Sequence, residues 1–322
     1  MGACRSRRKD AKLQRNLNQR RAEMTIPEWT DVHYFLELAR AGSLSAAARR
    51  LGVEHTTVSR RLHRLEEALG ATLFDRRREG HVLTEVGRGL LVHAETMEAS
   101  MLAAGDQLLG ASAGQARGAV RLNAPEVLGS LVIAPRLSGL LAAHPDLRVD
   151  LVLLPRFADL AAREAELAIV IEPPTSGRYM TARLCDYRYY LYGAPSYLAA
   201  HPPIVRREQL GEHSFVDYVQ DQLMSARLDF FKELGVSPRR RFCCTGMTAQ
   251  VSAAIAGLGL VMAPPYAVPA DHRLQRILPA EVFVQRSFWL VAPSDLFRLR
   301  RIRAVWDHLR ALVEAEPHLF GV

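Results

Sequence analysis

Four stretches with the 3.6-residue repeat of an amphipathic helix follow one another between residues 29 and 112. In the first, residues 29–41, Val32, Phe35, Leu36, Leu38 and Ala39 form an i, i+3, i+4 stripe, Thr30 and Asp31 suit the cap, and Gly42 ends it. Ser43 then caps a short alanine-rich helix over residues 44–51, stopped by Gly52. A third helix is expected over residues 54–69, ending at Gly70. Its apolar positions Val58, Leu62, Leu65 and Leu69 bury one face and leave the other free. Residues 71–83 read as two short strands around the polar tip Arg76-Arg77-Arg78-Glu79-Gly80. Thr84 opens a long helix to about Ser112, with Val86, Leu90, His93, Met97, Met101, Ala104 and Leu108 along one side.

Past a small-residue linker at 115–118 the pattern changes to strands alternating with helices. Residues 120–123 predict a strand, 129–144 a helix, 148–154 a strand, 158–164 a helix and 167–171 an apolar strand. Further strands are expected at 188–193, 214–218, 241–245, 259–263 and 288–292. Such alternation predicts a parallel or mixed sheet with helices on its faces. No internal repeat of fixed period is present.

Composition narrows this picture. The 322 residues, 49% of them hydrophobic, suffice for two or three folded domains. No apolar run approaches the roughly 18 residues needed to cross a bilayer, and the basic N-terminus lacks the apolar stretch of a secretory signal. Of the formal net charge of +8, six arise in residues 1–23, where eight basic residues face Asp10 and Glu23. That segment has no clean period and is expected to be disordered, either an upstream-start artefact before Met24 or a basic arm drawn to phosphates. Cys4, Cys185, Cys243 and Cys244 form no CxxC pair and read as reduced thiols of a cytoplasmic protein.

Two helices joined by a tight glycine turn and followed by a β-ribbon make a winged helix-turn-helix. Ala46, Ala47 and Ala48 let the second helix pack closely across the third. The third then presents His55, Thr56, Thr57, Ser59, Arg60 and Arg64, residues suited to base edges and phosphates, and Arg76, Arg77 and Arg78 at the ribbon tip suit the backbone or minor groove. The order AxxGSLSAAARRLGV, HTTVSRRLHRLEEALGATLFDRR and LTEVGRGLL closely resembles the LysR-type transcriptional regulators. Ser43, Ala46, Ala47, Leu51, Val58, Ser59, Leu65, Glu66, Leu69, Gly70, Leu73, Phe74, Arg76, Leu83, Thr84 and Gly87 fall on that family's pattern. One departure is Glu54-His55-Thr56, where relatives commonly carry Ser-Gln-Pro or Ser-Gln-Ser. His55 in place of Gln changes the available base contacts.

The resemblance implies an α+β multi-domain chain. A winged helix-turn-helix DNA-binding domain is expected at 24–83, a linker and dimerisation helix with hinge at 84–117, and an α/β two-lobed periplasmic-binding-protein-like (type 2) effector domain at 118–322. Its first lobe spans about 118–186 and 284–322, and its second 187–283. The implied partners are double-stranded DNA, a small-molecule effector and further copies of the chain, as dimer or tetramer, with no membrane involved. Effectors of such folds bind between lobes, which places Asn123, Pro125, Glu126, Glu172, Thr245, Gly246 and Met247 at the site. Relatives often carry Ser or Thr after the first strand to hold a carboxylate. Ala124-Pro125-Glu126 here, with Glu172 nearby, suggests a cationic, neutral or hydrogen-bond-donating ligand instead.

Enzyme chemistry finds little footing. The eleven histidines show no HExxH or HxH spacing, and no P-loop or GxGxxG follows a strand, so neither catalysis, a cofactor nor a metal is expected. A redox role for Cys243–Cys244 has only Arg241 to activate a thiol. Two further readings, a transport-type binding protein and an architectural DNA-binding protein, fit less of the chain.

Overall fold

The computed structural model describes residues 26–77, 80–110, 115–153, 159–271 and 273–321, with backbone alone at 106–110. The expectations for residues 1–23, Arg78 and Ser112 lie outside the described residues. The chain forms two units, one up to Met101 and one from Leu102 onward.

The first unit opens with α1 (Trp29–Ala41), α2 (Leu44–Leu51) and α3 (His55–Leu69). Their apolar stripes close on one core, in which Phe35, Leu36, Leu38, Ala47 and Val58 are fully buried. Gly42, Gly52 and Gly70 end the three helices in the left-handed conformation, as the sequence predicts. The Ser43 hydroxyl accepts from Ala46 N at 3.3 Å and caps α2. The cap of α1 differs from expectation. Glu28 precedes the helix without a side-chain cap, and Asp31, 2% exposed, holds arginines of α3 instead. Strands β1 (Phe74–Arg77) and β2 (Gly80–Leu83) form the antiparallel ribbon. The ribbon is tied down where His81 N donates to Gly42 O at 2.8 Å. Gly80 is required there: its φ is +134° and a Cβ would stand 2.5 Å from that same carbonyl. Thr84 caps α4 (Glu85–Gly110) by accepting from Gly87 N at 3.0 Å.

The second unit is built on a nine-stranded mixed sheet. One side holds β3 (Gly118–Asn123), β4 (Leu147–Val152) and β5 (Leu167–Val170), all parallel. The other holds β7 (Ser214–Asp217), β8 (Arg239–Cys243) and β9 (Leu260–Ala263), also parallel. Two long antiparallel strands, β6 (Tyr179–Gly193) and β11 (Phe283–Pro293), join the sides. β11 pairs with β5 at one end, and β6 pairs with β9 and with the short β10 (Gln275–Ile277) at the other. The β6–β11 register shifts between Phe288 and Trp289.

Three sequence expectations change here. The helix foreseen at 129–144 is instead a π-helical turn (Leu128–Ile133), a 3-10 turn (Ala134–Arg136) and a short α5 (Ser138–Ala143). Pro135 lies in the 3-10 turn and has no N–H to carry an α-helical ladder through. Residues 159–164 form turns rather than a helix, because the Asp159 carboxylate captures the amides of Ala161 and Ala162 and Arg163 takes φ +55°. Strands foreseen as 188–193 and 288–292 extend to fifteen and eleven residues. Helices α6 (Pro195–Ala199), α7 (Phe230–Leu234), α8 (Met247–Ile255) and α9 (Arg300–Ala315) complete the unit. α9 buries Ile302, Val305, Trp306 and Leu309, a helical stripe absent from the expected elements.

Candidate nucleic-acid interface and ligand cavity

Helix α3 is amphipathic in the manner a reading helix needs. Val58, Leu62 and Leu65 anchor it inward, while His55, Thr56 and Arg60 stand exposed and Thr57 and Ser59 are half-buried. No ion pair engages Arg60 among the described residues. Beside this face runs an open groove lined by Ser45, Arg49, Glu54, His55 and Thr57. Sequence reasoning passed over Ser45 and Arg49, although both are exposed on the solvent side of the alanine-rich α2. Ser43 is part of the α2 cap and half-buried. Arg76 and Arg77 project exposed from β1.

Arg64 stands apart from the others. Its Nε donates to Asp31 Oδ2 at 2.8 Å, and its guanidinium also pairs with Glu28. Arg61 reaches the other Asp31 oxygen at 3.1 Å. The bond to Glu28, followed by the field of Asp31, raises the Arg64 pKa against the opposing effect of burial. Arg64 thus braces α3 against α1.

In the second unit, Pro125, Glu126, Thr245, Gly246 and Met247 come together on one cavity of about 350 Å³. The other two candidates lie elsewhere. Asn123, 1% exposed, donates Nδ2 to Val152 O at 3.0 Å and serves the sheet edge. The Glu172 carboxylate accepts from Ser225 Oγ at 2.7 Å and Arg227 Nε at 2.8 Å, bonds that hold its pKa below the usual carboxylate range. The pair of free acids expected from the sequence therefore reduces to one, Glu126, whose Oε2 accepts from Met247 N at 3.0 Å.

The cavity walls come from residues that no motif marked. Tyr187, Tyr189, Tyr218, Tyr266 and Phe288 supply aromatic surface, and Ile171, Met224 and Leu228 aliphatic surface. Tyr187 stacks on Phe288 with ring centroids 3.9 Å apart. Burial pushes the Tyr187, Tyr218 and Tyr266 hydroxyls well above the ordinary tyrosine range and that of Tyr189 up to about 12, so all four stay neutral at physiological pH. The Tyr187 hydroxyl is fully buried, with that of Tyr189 beside it. The one sequence signal was the run Tyr187-Arg188-Tyr189, with period-2 tyrosines on a strand. Close approach shapes the floor, since a Cβ on Gly129 would meet Leu153 Cδ2 at 2.3 Å.

The thiols are poorly placed for redox chemistry. Burial pushes Cys185 up to about 12 and raises Cys243 and Cys244 as well, which disfavours the reactive thiolate. No helix among the described residues is long and apolar enough to cross a membrane.

Comparison with known proteins matches two family models. "Bacterial regulatory helix-turn-helix protein, lysR family" covers residues 29–88, and "LysR substrate binding domain" covers residues 113–314. The HTH-type transcriptional regulator PtxR of Pseudomonas aeruginosa is 25% identical over 291 residues, 89% of this chain and 93% of that protein. The HTH-type transcriptional activator TtdR of Escherichia coli K12 is 26% identical over 294 residues, 87% of this chain and 92% of that protein. Among solved structures, ArgP from Mycobacterium tuberculosis superposes with a TM-score of 0.64 at 19% identity, covering 89% of this chain and 97% of that one. A full-length OxyR variant from Pseudomonas aeruginosa gives 0.65 at 19%, covering 89% and 95%. At such identity these structures speak for the fold alone. The relatives are regulators rather than enzymes, which displaces the transport and architectural readings. The chain belongs to the LysR family of transcriptional regulators: it is a DNA-binding protein with an effector domain, its action is modulated by a small molecule, and it works as an oligomer.

Proposed function

We propose that α3 enters the major groove of double-stranded DNA with His55, Thr56, Thr57, Ser59 and Arg60 leading. Arg76, Arg77 and Arg78 flank it on the phosphate backbone or in the minor groove, and Ser45 and Arg49 add contacts from α2. The observation that carries this reading is the exposed face of α3, which holds an arginine free of ion pairs among the described residues. Arg64 steadies the helix through Asp31 and Glu28. Ser43 acts by fixing the start of α2. The DNA-binding domain runs over 24–83, the linker and dimerisation helix with its hinge over 84–117, and the effector domain over 118–322.

The effector occupies the cavity at Pro125, Glu126, Thr245, Gly246 and Met247. Asn123 and Glu172 act indirectly, Asn123 by holding the sheet and Glu172 by positioning Arg227. Two copies pair through α4, so that two reading helices meet half-sites about one DNA turn apart, roughly 34–36 Å. Acting on chromosomal DNA, the protein works in the cytoplasm.

Footprinting on the intergenic DNA beside the coding gene tests the reading. The wild-type chain gives a salt-sensitive, sequence-selective footprint. Arg60→Ala abolishes it, weakening specific binding by about 1–3 kcal/mol, while the melting temperature stays unchanged. A normal footprint from Arg60→Ala would remove Arg60 from the recognition surface.

A further inference from the structure

The cavity carries one full charge, and it is negative. Among its described lining residues Glu126 is the single carboxylate, and no Lys, Arg or His is present. An anionic ligand gains most at the first turn of a helix, where free N–H groups and the dipole point outward. At the head of α8 one of those donors, Met247 N, is already taken from within the chain. Glu126 Oε2 sits 3.0 Å from Met247 N, and a Cβ at Gly246 would stand only 3.2 Å from the same oxygen. An incoming carboxylate would meet an occupied donor and a like charge.

The rest of the cavity favours the opposite sign. Four neutral tyrosines and Phe288 offer ring faces, whose quadrupole is negative and attracts cations. The buried Tyr187 hydroxyl, which interacts with that of Tyr189, keeps a lone pair that can accept a further bond. Two neighbouring arginines are committed to other acids, Arg227 to Glu172 at 2.8 Å and Arg286 to Glu233 at 2.6 Å. Among the described residues no cation pairs with Glu126, so an incoming ammonium would be its first counter-charge.

We propose that the effector is an organic cation, an ammonium group paired with Glu126 and carried on an apolar body lying among the tyrosine rings. The proposal rests on reading this cavity as the effector site. It narrows that site to one charge class.

Three probes of matched size separate the possibilities: 2-phenylethylamine, 2-phenylethanol and phenylacetate, titrated calorimetrically into the full-length protein at pH 7.5. The amine is expected to bind at least tenfold more tightly than the alcohol, and phenylacetate not at all. Glu126→Gln, nearly isosteric, should erase the tenfold preference. Thr245→Trp, at the exposed rim, should block all binding. Melting temperatures confirm that both variants fold. Phenylacetate binding as tightly as the amine, and blocked by Thr245→Trp, would overturn the charge assignment while keeping the cavity as the effector site. An amine preference that survives Glu126→Gln would also overturn it. No binding of any probe would overturn both the charge assignment and the cavity reading.

Discussion

Asp31 shows how one buried acid organises a surface. At 2% exposure it accepts from Arg61 and Arg64, which engages two guanidinium groups of α3 and leaves Arg60 without an ion pair among the described residues. Asp31→Ala should therefore cost about 2 kcal/mol, because the two guanidinium groups lose a partner at the α1–α3 seam. Urea unfolding measures it, and an unchanged midpoint would deny Asp31 this role. Little of this was legible in the sequence, where Asp31 reads as a helix cap and Arg64 as a contact residue. Capping and bridging use the same residue types, and only the packing of α1 on α3 decides between them. At the cavity, Glu126 and Met247 could be placed because strand ends and helix starts are local features. The tyrosine walls could not, since strands distant in sequence bring them together.

Among the elements, the four helices of residues 29–110 were foreseen to within a residue or two, whereas α9, equally periodic, was not. The helices foreseen at 129–144 and 158–164 gave way for physical causes in Pro135 and Asp159, which redirect backbone amides after the apolar pattern has been written. Helix α4 extends this to assembly. Val86, Val92, Met97 and Met101 are exposed at 54%, 41%, 45% and 61%, while Ala94 is buried in the core of the first unit. A surface helix that leaves so much apolar area uncovered invites a partner. Met97→Glu combined with Met101→Glu should shift sedimentation toward monomer and weaken operator affinity at least tenfold, since a monomer holds one half-site. An unchanged sedimentation coefficient would place the oligomer contact elsewhere.

For the molecule as a whole, the acid side of the stability profile follows from groups whose titration the fold opposes. Burial lowers the pKa of His213, which is 0% exposed, and of His81, so folding favours their neutral forms. The unfolded chain takes up those protons near pH 6.5, so this stability is complete above that pH and is lost as the pH falls below it. Glu172 and Glu316 are shifted down by bonds to Ser225 and Arg227 and to Arg136. Their contribution is complete above about pH 4.3 and is lost as the pH falls through their folded values. Melting temperatures from pH 8 to pH 3 should show a plateau and then two declines. His213→Gln should flatten the first, and an identical profile in that variant would refute its share.

The break in register between Phe288 and Trp289 has a mechanical meaning. A ladder of hydrogen bonds flexes most easily where its pairing is interrupted. Here the interruption falls in one of the two long strands that span the sheet, beside a ring in contact with the cavity. The ring of Phe288 thus lines the cavity at the point where the ribbon's twist departs from that of a regular ladder.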